Sequence, residues 1–82
     1  MPGKVLARGN TNAPLKVYGV GWCGHCTHTK QVFNEAKLNY QFIDATGNSS
    51  ITAYPTLKCT ANGKTNVGEM SVKDAKAWCP GA

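Results

Sequence analysis

Apolar and polar residues change their spacing several times along this 82-residue chain, and each change marks an element. Leu15-Lys16-Val17-Tyr18-Gly19-Val20, bounded by Pro14 and Gly21, has the period-two pattern of a strand. From Cys23 to about Leu38 there is no proline and the period becomes helical. Cys26, Thr29, Val32, Phe33 and Ala36 share one face, while Lys30, Gln31, Asn34, Glu35 and Lys37 occupy the other, which predicts an amphipathic helix. Tyr40-Gln41-Phe42-Ile43-Asp44 is a second strand, and Ala45 to Ala53, rich in Ser, Asn, Thr and Gly, is a loop or at most one helical turn.

A third strand follows Pro55, over Thr56-Leu57-Lys58-Cys59-Thr60. Asn62-Gly63 is a strong hairpin signal and leads into a short strand near Thr65 to Val67. Ser71-Val72-Lys73-Asp74 is a capping box that opens a last helix, and Pro80-Gly81 ends it. Residues 1–14 carry two Gly, two Pro and two Asn without apolar periodicity, so a flexible N-terminal arm is expected there and one domain over 15–82.

The order β-α-β-(loop)-β-β-α predicts an α/β fold with a four-stranded mixed sheet. Strand–helix–strand units make parallel neighbours through a right-handed crossover, and the closing hairpin is antiparallel. In the third strand Leu57 and Cys59 face one way and Lys58 and Thr60 the other. A strand covered on both faces would be apolar on both, so one face of this sheet is expected to be thinly covered. That agrees with the absence of a helical pattern between Asp44 and Tyr54.

Composition narrows the function classes. A chain of this length buries a marginal core, and its four cysteines could supply a staple. The net charge of +5 comes from nine scattered basic residues, with no basic run interleaved with aromatics, so no nucleic-acid partner is expected. No apolar stretch approaches the roughly 18 residues that read as a membrane span, so no membrane partner is expected either. The start of the chain lacks the apolar region of a signal peptide. A cytoplasmic protein, or the mature form of an exported one, is the expectation.

The chemistry concentrates in Trp22-Cys23-Gly24-His25-Cys26. A thiol is nucleophilic as its thiolate, and a free one, with pKa near 8.5, is mostly protonated at neutral pH. At a helix N-terminus, unpaired N–H groups and the positive end of the dipole favour the thiolate. Cys23 is therefore the candidate nucleophile and Cys26, one turn deeper, the candidate resolving cysteine. His25 between them adds N–H donors and partial positive charge, which stabilises the thiolate and makes the disulfide a better oxidant.

Together, the strand ending in Gly21-Trp22, the Cys23-Gly24-His25-Cys26 helix start and Tyr54-Pro55-Thr56 before the hairpin resemble the thioredoxin superfamily in its short, glutaredoxin-sized form. The resemblance covers about residues 15–79. The Cys-Gly-His-Cys tetrapeptide is the one found in protein disulfide isomerase domains. It implies a minimal thioredoxin/glutaredoxin-like fold and a thiol–disulfide oxidoreductase that reduces, forms or exchanges disulfides through Cys23 and Cys26. Potentials of about −270 mV for thioredoxin and about −180 mV for disulfide isomerase differ by roughly 4 kcal/mol, and His25 places this site toward the oxidising end.

The resemblance also implies that Pro55 is the cis-proline beside the active-site disulfide. Tyr54 would then line the substrate groove, Trp22 would shield the sulfur and contact substrate, and Gly68 would remain from the segment that holds glutathione. The chain departs from the family at several positions. Val17 stands where thioredoxins and isomerase domains keep a buried acid, so Cys26 would lose its proton to water, His25 or His28. Val20 replaces the usual glutaredoxin lysine, Ala53-Tyr54-Pro55 replaces Thr-Val-Pro, and Val67-Gly68-Glu69-Met70 replaces the Gly-Gly-x-Asp-like segment.

Cys59 shares a strand face with Leu57, and Cys79 lies on the apolar face of the last helix with Val72 and Ala75. In the family that helix packs on the sheet, so the two cysteines could form a structural disulfide, remain two buried thiols, or act as a second redox pair. A metal site would draw on Cys23, Cys26 and His28, with His25 as a further ligand. Zinc takes four N/S ligands, and no second Cys-x-x-Cys or His pair completes such a set, so no metal is assigned. The alternative function is an iron–sulfur cluster held by Cys23 and Cys26 in a glutaredoxin-like dimer. No bound cofactor is expected, and electrons would come from glutathione or a thioredoxin-reductase-type donor. The expected partner of this monomer is a disulfide-containing protein or a small disulfide.

Overall fold

A computed structural model describes residues 12–82. Its elements are β1 (Leu15–Gly19), α1 (Gly24–Glu35), β2 (Tyr40–Asp44), β3 (Thr56–Cys59), β4 (Lys64–Val67) and α2 (Val72–Trp78). The strands form one mixed sheet in the order β2-β1-β3-β4. β1 and β2 are parallel, with Val17 opposite Phe42, and β3 is antiparallel to both β1 and β4, with Val17 opposite Leu57. This is the minimal thioredoxin/glutaredoxin fold that the element order predicts.

The alternation in β1 decides where the core lies. Leu15 and Val17 are fully buried and meet Tyr40, Leu57 and Cys59 from the neighbouring strands, Phe33 and Leu38 from the α1 side, and Ala75 and Cys79 from the α2 side. Both helices therefore cover the same face of the sheet. On the opposite face the side chains of neighbouring strands cover one another: Lys58 Nζ of β3 lies 5.2 Å from the ring centroid of Tyr18 on β1, and Lys16 Nζ of β1 donates to Gln41 on β2 at 2.8 Å. The thin cover expected on one face takes this form, and the segment from Ala45 to Ala53 has no helix.

Several boundaries differ from expectation: β1 ends at Gly19 rather than Val20, β3 at Cys59 rather than Thr60, and β4 starts at Lys64 rather than near Thr65. The first helix stops at Glu35 rather than near Leu38, because Lys37 turns into the left-handed region (φ 57°) and the Leu38 N–H returns to the Phe33 carbonyl. Of the arm expected over 1–14, residues 1–11 lie outside the described residues. Ala13 is buried, and the Pro14 carbonyl accepts the Thr60 N–H at 2.8 Å, so these two residues of the expected arm are packed against the sheet domain.

Candidate active site

Cys23 is the N-cap of α1, with extended backbone (φ −90°, ψ 123°), and its carbonyl accepts the first helical bond from the Thr27 N–H at 3.0 Å. A cap position normally holds a side-chain oxygen facing the N–H groups two and three residues on. Here those groups belong to His25 and Cys26. The sulfur makes no full capping hydrogen bond, yet it feels them: the Cys26 N–H foremost, then the His25 N–H, hold the Cys23 pKa below the ordinary thiol value. The Cys26 thiol adds a hydrogen bond in the same sense, while desolvation and the Glu69 charge oppose it. The first turn of α1 carries no acidic residue that would cancel the helix dipole.

Cys26 is in the opposite situation. It is fully buried, and desolvation pushes its thiol pKa up, with its hydrogen bond to Cys23 and the nearby Cys23 charge acting the same way. The Val20 N–H, 3.4 Å from Cys26 Sγ, offsets part of this. The pocket for that sulfur exists because residue 19 has no side chain. A Cβ on Gly19 would stand 2.5 Å from Cys26 Sγ, 3.2 Å from its Cβ and 3.1 Å from the Phe42 ring. A glycine inside a strand often marks such a close approach.

Around this pair, Tyr54–Pro55 is a cis peptide bond, and the Pro55 carbonyl accepts the Gly68 N–H at 2.8 Å. His25, Tyr54, Pro55, Gly68 and Glu69 line a groove of about 280 Å³. Trp22 is 78% exposed and stands edge-on to Tyr54 with ring centroids 5.9 Å apart, so it forms part of the surface rather than the core. Val17 is buried in the core and supplies no proton acceptor.

The histidines do not stand free beside the thiols. His25 Nδ1 is 2.5 Å from Glu69 Oε2, and His28 Nδ1 is 2.8 Å from Glu69 Oε1, so one carboxylate joins both rings. These two contacts hold the Glu69 carboxyl below its usual pKa, His28 more strongly than His25. The titratable groups whose charge bears on Cys26 are Cys23 and Lys30. Glu69 and Gly19 are site residues that the sequence pattern does not single out: Glu69 stands there only as a departure in the glutathione segment, and Gly19 only as part of a strand.

At the other end of the sheet, Cys59 on β3 and Cys79 at the end of α2 are joined in a disulfide across a sequence separation of 20. Cys23 and Cys26 are both free thiols. Among the described residues, no three His, Cys, Asp or Glu side chains are grouped as a metal site.

The mixed sheet, the Cys-x-x-Cys pair at the start of α1 and the cis-proline beside it are the arrangement of the thioredoxin superfamily. The glutaredoxin family model matches residues 15–58, from the start of β1 into β3, and the chain belongs to that family. A comparison with curated proteins gave no match. Family membership and the adjacent cysteines support thiol–disulfide oxidoreductase-type function. Among the described residues, no helix is long and apolar enough to cross a membrane.

Proposed function

We propose that the protein exchanges disulfides through the Cys23/Cys26 couple, with a disulfide-bearing protein or a small disulfide as its partner. The observation that carries this reading is the contrast within one helical turn: a half-exposed Cys23 whose thiolate is favoured, and a buried Cys26 whose thiol is favoured. Cys23 thiolate attacks a substrate sulfur, the substrate's other sulfur leaves, and a mixed disulfide forms. Cys26 then gives up its proton to water, attacks Cys23 Sγ and releases the second substrate thiol. Run backwards, the same steps oxidise a dithiol. With no acid at residue 17 and a raised Cys26 pKa, the second step is the slow one.

Tyr54, Pro55 and Gly68 line the groove and Trp22 packs edge-on against Tyr54, and we assign all four to the substrate-binding surface. Glutathione finds little of its usual holding set. Val20 is buried with its N–H on Cys26 Sγ and offers no cation, and Ala53 offers no hydroxyl. We therefore assign glutathione, or a thioredoxin-reductase-type donor, the role of electron source rather than of specific ligand. The Cys59–Cys79 disulfide is assigned a structural role.

Turnover of a disulfide-containing protein with dithiothreitol as electron source tests the proposal. Cys23→Ser should abolish it, and Cys26→Ser should accumulate a mixed disulfide on Cys23, visible as an added mass removed by reductant. Full activity in Cys23→Ser would sink the assignment. Iron and labile sulfide in stoichiometric amounts in protein purified without chelator would replace it with cluster binding.

A further inference from the structure

Glu69 is the residue that the exchange scheme leaves without a role. It comes from the loop between β4 and α2, yet it reaches the first turns of α1, where His25 and His28 lie three residues apart and so share a helix face. Each of its oxygens takes one imidazole, and in both contacts the imidazole atom is Nδ1, at 2.5 and 2.8 Å. An ionised carboxylate only accepts hydrogen bonds, so both rings must donate Nδ1–H to it. The partner of one ring nitrogen decides the chemistry left to the other. With Nδ1–H committed, proton exchange at each ring falls to Nε2. The Thr29 hydroxyl, itself buried, donates to the His25 carbonyl at 2.8 Å and lies 3.5 Å from Glu69 Oε1, so the backbone carrying His25 is held from the same side.

We propose that Glu69 is a positioning residue that keeps His25 Nδ1–H in its own hydrogen bond, so that Nε2 is the nitrogen that exchanges protons with sulfur: the imidazolium donates from Nε2 to the thiolate leaving a substrate disulfide, and the Nδ1–H tautomer left behind has Nε2 free to accept. This rests on the exchange reaction proposed above. In the first step Cys23 thiolate attacks R–S–S–R′. The R–S–S–R′ bond breaks and the Cys23–S–S–R bond forms, so Cys23 sulfur is oxidised and the R′ sulfur reduced. The R′ thiolate takes the Nε2 proton of the His25 imidazolium, giving R′–SH and a neutral imidazole that keeps its Nδ1–H on Glu69. In the reverse direction the same nitrogen accepts the proton of an attacking thiol. His28 holds the second oxygen and thereby fixes the plane of the carboxylate.

A proton donor helps a poor leaving group more than a good one, which separates this role from a structural one. The probes are bis(2-hydroxyethyl) disulfide, whose leaving group is a basic alkyl thiolate, and Ellman's disulfide, whose leaving group is a weakly basic aromatic thiolate. In Glu69→Gln the ratio of the alkyl to the aromatic rate constant should fall about a hundredfold, the lower end of the range expected for loss of general acid–base assistance. His25→Gln should give a similar fall, and adding Glu69→Gln to it should lower the ratio no further. Nitrogen-15 spectra of the neutral imidazoles should show Nδ1–H at His25 in the wild type and Nε2–H in Glu69→Ala.

Equal slowing of both probes in Glu69→Gln, an unchanged ratio, or a His25 tautomer indifferent to Glu69→Ala would each overturn the proposal. Wild-type protein that fails to form Cys23–Cys26 with Ellman's disulfide would instead overturn the exchange reading itself.

Discussion

Two pairs of cysteines sit at opposite ends of one small sheet, and they differ in every property that governs sulfur chemistry. Cys59 and Cys79 are both buried and bonded, one on a central strand and one at the end of α2. Cys23 and Cys26 are both free; one is half-exposed at a helix start and the other buried behind it. A thiolate needs N–H donors and access to a partner sulfur, and only the α1 end of the sheet supplies both. A crosslink between two buried positions acts mainly on the unfolded chain, by shortening the loop that it can explore. The same residue type is thus a free thiol suited to the proposed exchange at one end and a crosslink at the other, according to its surroundings.

The contrast can be broken most sharply by removing the staple. Replacing Cys59 and Cys79 together by Ala should cost roughly 3 kcal/mol, the value for a loop of about this length, or on the order of 15 °C in Tm for a domain of this size. Cys23 alkylation below the melting transition should persist. Unchanged stability in a thermal melt, or loss of Cys23 reactivity while the protein is still folded, would show that the two ends are not separable.

Gly19→Ala probes the other end. The added methyl collides with Cys26 Sγ and the Phe42 ring, and overpacking of this kind costs about 1–3 kcal/mol. It should also slow closure of the Cys23–Cys26 disulfide more than it slows the first attack by Cys23, because only the buried sulfur is displaced. Stopped-flow measurement of the two steps checks this.

The smallest expected effect is in the pH profile of iodoacetamide alkylation. A lowered pKa means more thiolate at a given pH, so Cys23 should react with a midpoint below that of an ordinary free thiol. Cys26, raised by burial, should react with a midpoint above that of an ordinary free thiol in the Cys23→Ser protein. Coinciding midpoints would mean that the two environments do not tune the sulfurs.

How much of this was legible along the chain depends on sequence distance. The proposed nucleophile, the proposed resolving cysteine and the start of the helix that carries them lie within a few consecutive residues, and a period change together with Cys-x-x-Cys is enough to place the pair at a helix start. Gly19 was within reach, since a glycine at an inward position of an apolar strand signals a close approach, but which atom approaches depends on where α1 packs. Lys37 hid the end of α1, because a lysine in the left-handed region gives no stop signal of the kind that glycine gives.

By itself the sequence determined the element order, the parallel and antiparallel pairings that follow from it, and the cysteine pair at the start of a helix. These are consequences of local periodicity, turn chemistry and chain handedness, all of which act over short stretches. The tertiary structure alone decided which cysteines meet and which carboxylate reaches the active-site histidines. Cys59 and Cys79 are 20 residues apart and Glu69 is 44 from His25. Contacts over such separations are set by packing both helices on one face of the sheet, which no local pattern encodes.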